Sequence, residues 1–271
     1  SGRVIYHDGR SARTCEGPGG AAPGDDASWS DVRALDGPDA PLPPDKAYLL
    51  RRRFVTPARP VSARLYVTAL GVYEPFLNGE KVGDALLAPE PTDYRSTALY
   101  AVHDVTAKIV PGENMLGAMV AEGWYGSRLA PSGRYVFGSA PMRLIAQLEM
   151  VFADGSRQVV STDGSWRIAA APITQAGIYD GEDYDARLER PAWSRPDDRD
   201  DAPGWAPVQT APTPNCALLG AVAPPIRETM RIRPQNILKL ANGRYVVDFG
   251  QNFAGWARLS MRGRAGQQVT L

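Results

Sequence analysis

The sequence predicts an all-β protein, a β-sandwich or jelly roll followed by the start of a second β-sandwich. Three observations carry this reading: runs that alternate apolar and polar, turn dipeptides between them at regular spacing, and a near absence of helical periodicity. The 27 glycines and 24 prolines, spread through 271 residues, fit many short strands and turns.

Taken in chain order, "DGPDAPLPPDK" is proline-rich and charged and precedes the first strong strand, "AYLLRRRFVT". In "ARLYVTAL", Leu65, Val67 and Ala69 face one way, and Tyr66, Thr68 and Leu70 the other. "VYEPFLNGEKVGDALL" places Asn78-Gly79 between extended runs, a hairpin signal because both turn residues need positive φ. "MRLIAQLEMVF", "ADGS" and "RQVVSTDGSWRIAA" repeat the pattern, with Asp154-Gly155 and Asp163-Gly164 as turns. "QNILKL", "ANG" and "RYVVDFG" form a last hairpin. Helix signals are confined to "DDASWSDVRAL", a short helix, and "DVTAKIV", one turn. Trp166, Trp193, Trp205 and Trp256 read as core or linker anchors.

Composition sets aside several function classes. The 30 basic and 30 acidic residues cancel, and no basic stripe stands out, which argues against nucleic acid. No apolar run approaches a membrane span, so no membrane partner is expected. Cys15 and Cys216 are spaced like neither a metal knuckle nor a redox pair and read as unrelated free thiols. The start, "SGRVIYHDGR", lacks the apolar core of a signal peptide; Ser1-Gly2 reads as an expression scar or processed end. Leu271, at the end of a strand pattern with nothing to pair it, reads as a truncation or proteolytic end.

The chemistry candidates cluster in "GIYDGEDYDARLER" and "AEGWYGSRL". In an extended segment Asp183, Asp185, Arg187 and Glu189 share a face, with neighbours roughly 6.5–7 Å apart. That spacing overlaps an inverting glycosidase pair, but such a pair must flank the scissile bond from opposite sides. Arg187 would also lower the carboxylate pKa values, the wrong direction for a general acid. A charged, ion-paired strand is therefore the preferred reading. Counting from Asp180 or from Asp183, the stretch fails the EF-hand pattern, while calcium in another sandwich loop stays open. The only histidines, His7 and His103, show no metal spacing. There is no GxSxG elbow, and neither "GPGG" nor "MRGRAGQQ" opens a phosphate-cradling helix. Trp124-Tyr125, at a strand end, offers rings for sugar stacking, against the commoner case of a buried tryptophan that closes a sandwich edge.

A resemblance follows from the order of six pieces: "YLLRRRFVT", "LYVTALGVYEPFLNGEKVGD", "APEPTDYRSTALYAVHDVT", "PGENMLGAMVAEGWY", "GEDYDARLE" and "VDFGQNFAGWARLSMRGRAGQQVTL". Together, from about residue 48 to 271, they resemble the N-terminal, non-catalytic part of bacterial α-L-rhamnosidases. The resemblance implies a jelly-roll, galactose-binding-like domain over 48–195, after an extension over 1–47. A linker over 196–223 then leads to a second sandwich that begins at 224. It implies that the inverting hydrolytic centre lies in a helical barrel absent from this chain, so the chain itself has no catalytic residue. Glu122 departs from the polar residue usual before the "GWY" turn. The expected partners are a rhamnose-containing glycoside or polysaccharide and the remainder of the same catalytic chain. The candidate carbohydrate-binding residues are Trp124, Tyr125, Glu182, Asp183, Asp185 and Arg187. No cofactor is required, but some relatives bind rhamnose through this domain with calcium. A periplasmic or extracellular site is favoured over the cytoplasm. A stand-alone carbohydrate-binding module and a purely structural scaffold are the alternatives.

Overall fold

The computed structural model describes residues 46–130, 142–198, 201–212, 214–260, 262–264 and 266–271, together with short strand segments at 2–7, 12–17, 34–36 and 133–134. The described residues divide into two compact units, Ser1–Arg227 and Glu228–Leu271.

The first unit is built on two sheets, in keeping with the all-β reading. The larger orders its strands Gln209–Ala211, Ala34–Asp36, Arg143–Val151, Ser62–Leu70, Thr97–Asp104 and Ala217–Gly220. Arg157–Ser161 also pairs with Arg143–Val151. The smaller orders Ala206–Pro207, Arg167–Ala170, Tyr48–Thr56, Gly112–Ala121, Val72–Leu77 and Glu80–Lys81. Pairing is antiparallel in both, except where Ala217–Gly220 runs parallel to Thr97–Asp104.

Period-two alternation sends one side of each strand into the gap between the sheets. Leu50 and Phe54, Leu65 and Val67, Leu116 and Ala118, and Leu144, Ala146 and Leu148 meet there in one apolar cluster around the fully buried Trp166. Tyr66, Leu70, Tyr100, Ile145 and Leu218 form a second cluster outside it. Both faces of the Ser62–Leu70 strand are therefore buried, not one.

The expected turns form. Asn78 (φ 53°) and Gly79 (φ 87°) link Val72–Leu77 to Glu80–Lys81, and Gly155 (φ 83°) sits in the turn before Arg157. One helical turn forms at Thr106–Lys108. The helix expected over "DDASWSDVRAL" lies mostly outside the described residues, and its last two, Ala34 and Leu35, are in a strand. Cys216 is a free, buried thiol.

The stretch 196–223, expected as a linker, instead supplies three strands to the sandwich: Ala206–Pro207, Gln209–Ala211 and Ala217–Gly220. Buried arginine chemistry anchors the start of this stretch. Arg51, fully buried on the Tyr48–Thr56 strand, donates to the Trp193 carbonyl (2.9 Å) and to Asp198 (2.5 Å). Its guanidinium lies 3.8 Å from the Trp205 ring centroid. Arg53, two residues on and so on the same face, donates to the carbonyls of Pro196 and Asp198. Gly117 leaves room for Trp193, because a Cβ there would come within 2.7 Å of the indole. Charge and proline content suggested solvent; guanidinium contacts hold Trp193, Pro196, Asp198 and Trp205, and backbone ladders hold the three strands that follow.

In the second unit, Asn236–Lys239 and Tyr245–Asp248 form the expected hairpin, with Gly243 (φ 81°) in the turn. Trp256, expected as an anchor, is exposed. No helix among the described residues is long and apolar enough to cross a membrane.

Candidate functional site

The strand Gly112–Ala121 runs into a single helical turn, Gly123–Gly126. Gly123 makes that turn: its φ is +48°, and a Cβ would come within 2.1 Å of Val72 Cγ1. The amides of Tyr125 and Gly126 donate to the Glu122 carbonyl (3.1 and 3.3 Å), and the Ser127 amide and hydroxyl both donate to the Gly123 carbonyl.

This turn sets the two aromatic candidates differently. Trp124 is half-buried, and its indole N–H donates to the Leu87 carbonyl at 3.0 Å. Leu87 is itself in the left-handed region (φ 53°), and the next carbonyl, of Ala88, accepts from the Tyr73 amide at 2.7 Å. The ring is thus held at one end and open along part of its body. Tyr125 is only 8% exposed and meets Tyr94 edge-on, with ring centroids 5.4 Å apart. It serves the apolar cluster behind Trp124 and offers no free face to a sugar.

Glu122, beside them, is 3% exposed, and burial pushes its carboxyl up to about 7. Sequence reasoning noted it only as a departure from the usual residue. An acid directly after the apolar run "MLGAMVA" was the available signal.

The acidic candidates lie on a separate two-stranded ribbon, Ile173–Gly177 paired with Gly181–Tyr184. It is fastened to the aromatic turn through the Ile178 amide, which donates to the Ser127 hydroxyl at 3.4 Å, and to the start of the Tyr48–Thr56 strand through the Ala47 amide, which donates to the Ile173 carbonyl at 3.2 Å. Glu182 and Asp183 are consecutive in a strand and point to opposite sides. Both are exposed; the surrounding protein and then the charge of Glu74 raise the Glu182 pKa. Glu74 is itself paired with Lys81 at 2.5 Å.

The extended run expected through Glu189 stops at Tyr184. Asp185 caps a 3-10 turn at Ala186–Leu188, accepting from the Arg187 amide at 3.0 Å and from its guanidinium at 2.6 Å. A short acid that bonds its own downstream backbone competes with the strand ladder and ends it. The Arg187 side-chain and backbone donors hold the Asp185 carboxyl down at about 2. The Tyr184 hydroxyl donates to Glu189 at 2.5 Å. The face that was to present Asp183, Asp185, Arg187 and Glu189 together therefore does not form.

Of the six sequence candidates, the structure leaves Trp124, Glu182 and Asp183 open, buries Tyr125, and ties Asp185 to Arg187. Among the described residues no group of three or more His, Cys, Asp or Glu side chains is placed to hold a metal ion. The acids of this stretch do not fit a calcium donor set: Asp185 is engaged by Arg187, and Glu182 and Asp183 diverge.

Residues 58–230 match the family model of the alpha-L-rhamnosidase N-terminal domain. The chain belongs to that family. Residues 238–271 match the bacterial alpha-L-rhamnosidase concanavalin-like domain; this match lies within the second unit, and the first match ends three residues past the boundary at Arg227.

Among curated relatives of this rhamnosidase-family chain is an alpha-L-rhamnosidase of Streptomyces avermitilis. It is 38% identical over 258 residues, spanning 91% of this chain and 24% of the relative. Another, from Alteromonas sp., is 34% identical over 252 residues, spanning 90% and 27%. The chain thus covers about a quarter of the length of the curated relatives it matches. The crystal structure of the Streptomyces avermitilis enzyme complexed with L-rhamnose superposes with a TM-score of 0.73 over 77% of this chain and 20% of that one. Native rhamnosidase from Aspergillus terreus does so with 0.77, at 34% identity, over 89% and 28%.

Proposed function

We propose that this chain is the non-catalytic N-terminal part of an α-L-rhamnosidase. The whole protein removes terminal α-L-rhamnose from glycosides or polysaccharides by inversion, in a helical barrel outside these residues. The observation that carries the reading is the succession of matches, an N-terminal module at 58–230 and a concanavalin-like module at 238–271. The local chemistry supports it. Hydrolysis needs one acid of raised pKa and one ionised base on opposite flanks of the bond. Asp185 is held at about 2 by Arg187, and Glu182 and Asp183 project from opposite sides of one strand.

The purified 271-residue chain is expected to show no turnover of an aryl α-L-rhamnoside; measurable release of the phenol would overturn the reading. The uninterrupted gene is expected to encode a helical segment rich in acidic residues after these modules. The rest of that chain is the module's partner, and export to the periplasm or exterior, where plant and bacterial polysaccharides are met, is the location we infer.

A second reading is favoured by one observation, the fixed and half-open ring of Trp124. Here the module also touches rhamnose, stacking it on that indole with Glu182 or Asp183 accepting from its hydroxyls. Calorimetry with L-rhamnose, with and without calcium, tests it: binding that Trp124→Ala abolishes supports contact. Silence at millimolar sugar leaves the module as scaffold.

A further inference from the structure

The carbonyl that holds the Trp124 indole belongs to a loop with attachments on both sides. Leu87 presents that carbonyl at φ 53°, a left-handed torsion that a branched side chain keeps only where its surroundings fix it. On the inner side, the Tyr73 amide donates to the Ala88 carbonyl at 2.7 Å and the Val82 amide to the Pro75 carbonyl at 2.8 Å. The loop therefore lies along the outer edge of the Val72–Leu77 strand. Gly83, at φ 75°, lets it pass the His103 ring, which a Cβ there would meet at 2.8 Å.

On the outer side, the same loop holds the last residues of the first unit. The Leu86 amide donates to the Ile226 carbonyl at 2.8 Å, and Asp84 pairs with Arg227 at 3.3 Å. Upstream, the Ala221 amide donates to the Tyr100 carbonyl at 2.9 Å. Between these attachments the chain reads "VAPP", with Val222, Ala223 and Pro224 exposed. Two successive prolines leave this span few torsions, so tethering it costs little chain entropy. An exposed ion pair such as Asp84–Arg227 holds little by itself. The backbone bonds and the stiff span between them fix the segment at both ends.

We propose that residues 221–227 are a strap that sets the Trp124 ring through the 82–88 loop, so that a seated strap and a loaded ring favour each other. This rests on the reading in which Trp124 stacks L-rhamnose. The path is short: the Ile226 carbonyl to the Leu86 amide, one residue to Leu87, and the Leu87 carbonyl to the indole. Loss of the Ile226 bond lets the Leu87 torsion relax, and its carbonyl then turns from the indole. Such coupling is reciprocal: what the strap does for the ring, a ligand on the ring does for the strap. Asp84 and Arg227 are thereby positioning residues for the sugar platform. The strap runs directly into Glu228, where the second unit begins, so an occupied ring stiffens the connection between the two.

The test reads hydrogen exchange by NMR in the 271-residue chain. Pro224→Gly, Pro225→Gly and Arg227→Ala, combined, free the strap without altering the loop. Exchange of the Trp124 indole proton, assigned with Trp124→Phe, is expected to quicken roughly tenfold. The Trp166 indole, bonded to the Ser161 carbonyl, is the control and is expected to stay unchanged. In the other direction, Trp124→Phe alone is expected to quicken exchange of the Leu86 amide by a similar factor. An unchanged Trp124 indole in the freed-strap variant, or an unchanged Leu86 amide in Trp124→Phe, overturns the coupling. A Trp166 indole that quickens equally also overturns it, because the strap would then act on the whole sandwich. Saturating L-rhamnose is expected to slow the Leu86 amide in the unsubstituted chain. Binding without that slowing overturns the regulation and leaves the sugar platform in place. Absence of binding overturns the sugar platform, while exchange in the two variants still decides whether strap and ring are coupled.

Discussion

At the scale of single residues, Glu122 and Gly123 decide how the aromatic turn is made. Gly123 combines positive φ with contact against Val72, so Gly123→Ala faces both a left-handed penalty and overpacking. It is expected to destabilise by about 2–4 kcal/mol, read from the urea midpoint. Gly155→Ala, also at positive φ but facing open space, is the control and is expected to cost about 1–2 kcal/mol. Glu122 gives a pH signature. Its folded pKa, about 7, lies above its ordinary value of 4.5, so the native state holds the proton more tightly. Its contribution is present below pH 4.5 and is lost as pH rises through 7. The loss is about 3 kcal/mol in all. Glu122→Gln, which keeps the shape without the ionisation, is expected to flatten the stability profile between pH 5 and 7, checked by denaturation at several pH values. None of this could be read from "AEGWYG" alone. The glycine was visible, but the Val72 side chain it meets comes from another strand, and the burial that lifts Glu122 is set by packing.

At the scale of elements, turn chemistry was legible and ion pairing was not. Asn78-Gly79 turns with positive φ at both residues and Asp154-Gly155 with positive φ at Gly155, because such torsions are a local requirement. A polar knot sits beside the first turn, and its two asparagines lie 36 residues apart in the chain. Asn78 donates to Asn114 at 2.8 Å, and Asn114 donates in turn to the carbonyls of Val110 (2.7 Å) and Gly112 (3.0 Å). Asn114 is fully buried, so Asn114→Ala strands several partners. About 3 kcal/mol of stability is expected to go, from roughly 1 kcal/mol per lost bond. Thermal unfolding would measure it. The "RRR" of the first strand was equally visible, yet nothing local says which guanidinium goes inside. Arg51→Ala is expected to cost about 3 kcal/mol, the low end for breaking a buried pair because Asp198 keeps some solvent. It should also open residues 190–205 to limited proteolysis, whereas Arg51→Lys, without the planar fork, should rescue little. The acidic ribbon failed for a related reason. Asp185 had two uses open to it, a strand position or a cap, and the Arg187 donors select the cap.

At the scale of the molecule, the three apolar clusters lie wholly within the first unit. Removal of residues 228–271 is therefore expected to leave the near-ultraviolet circular dichroism and the unfolding midpoint of residues 1–227 little changed. A large loss of either would show that the second unit supports the first. By itself the sequence determined the all-β class, the turns and the alternating strands, and the order of its motifs pointed to the rhamnosidase family. Those properties depend on local torsion preference, period-two patterning and short motifs, which are written in consecutive residues. Tertiary structure alone decided that 206–220 belongs to the sandwich, that Tyr125 is buried while Trp124 stays half open, and that Asp185 and Arg187 spend their charges on each other. Each of these turns on burial and on partners distant in the chain or on a choice between competing bonds, and a carboxylate's or a ring's role follows from what surrounds it.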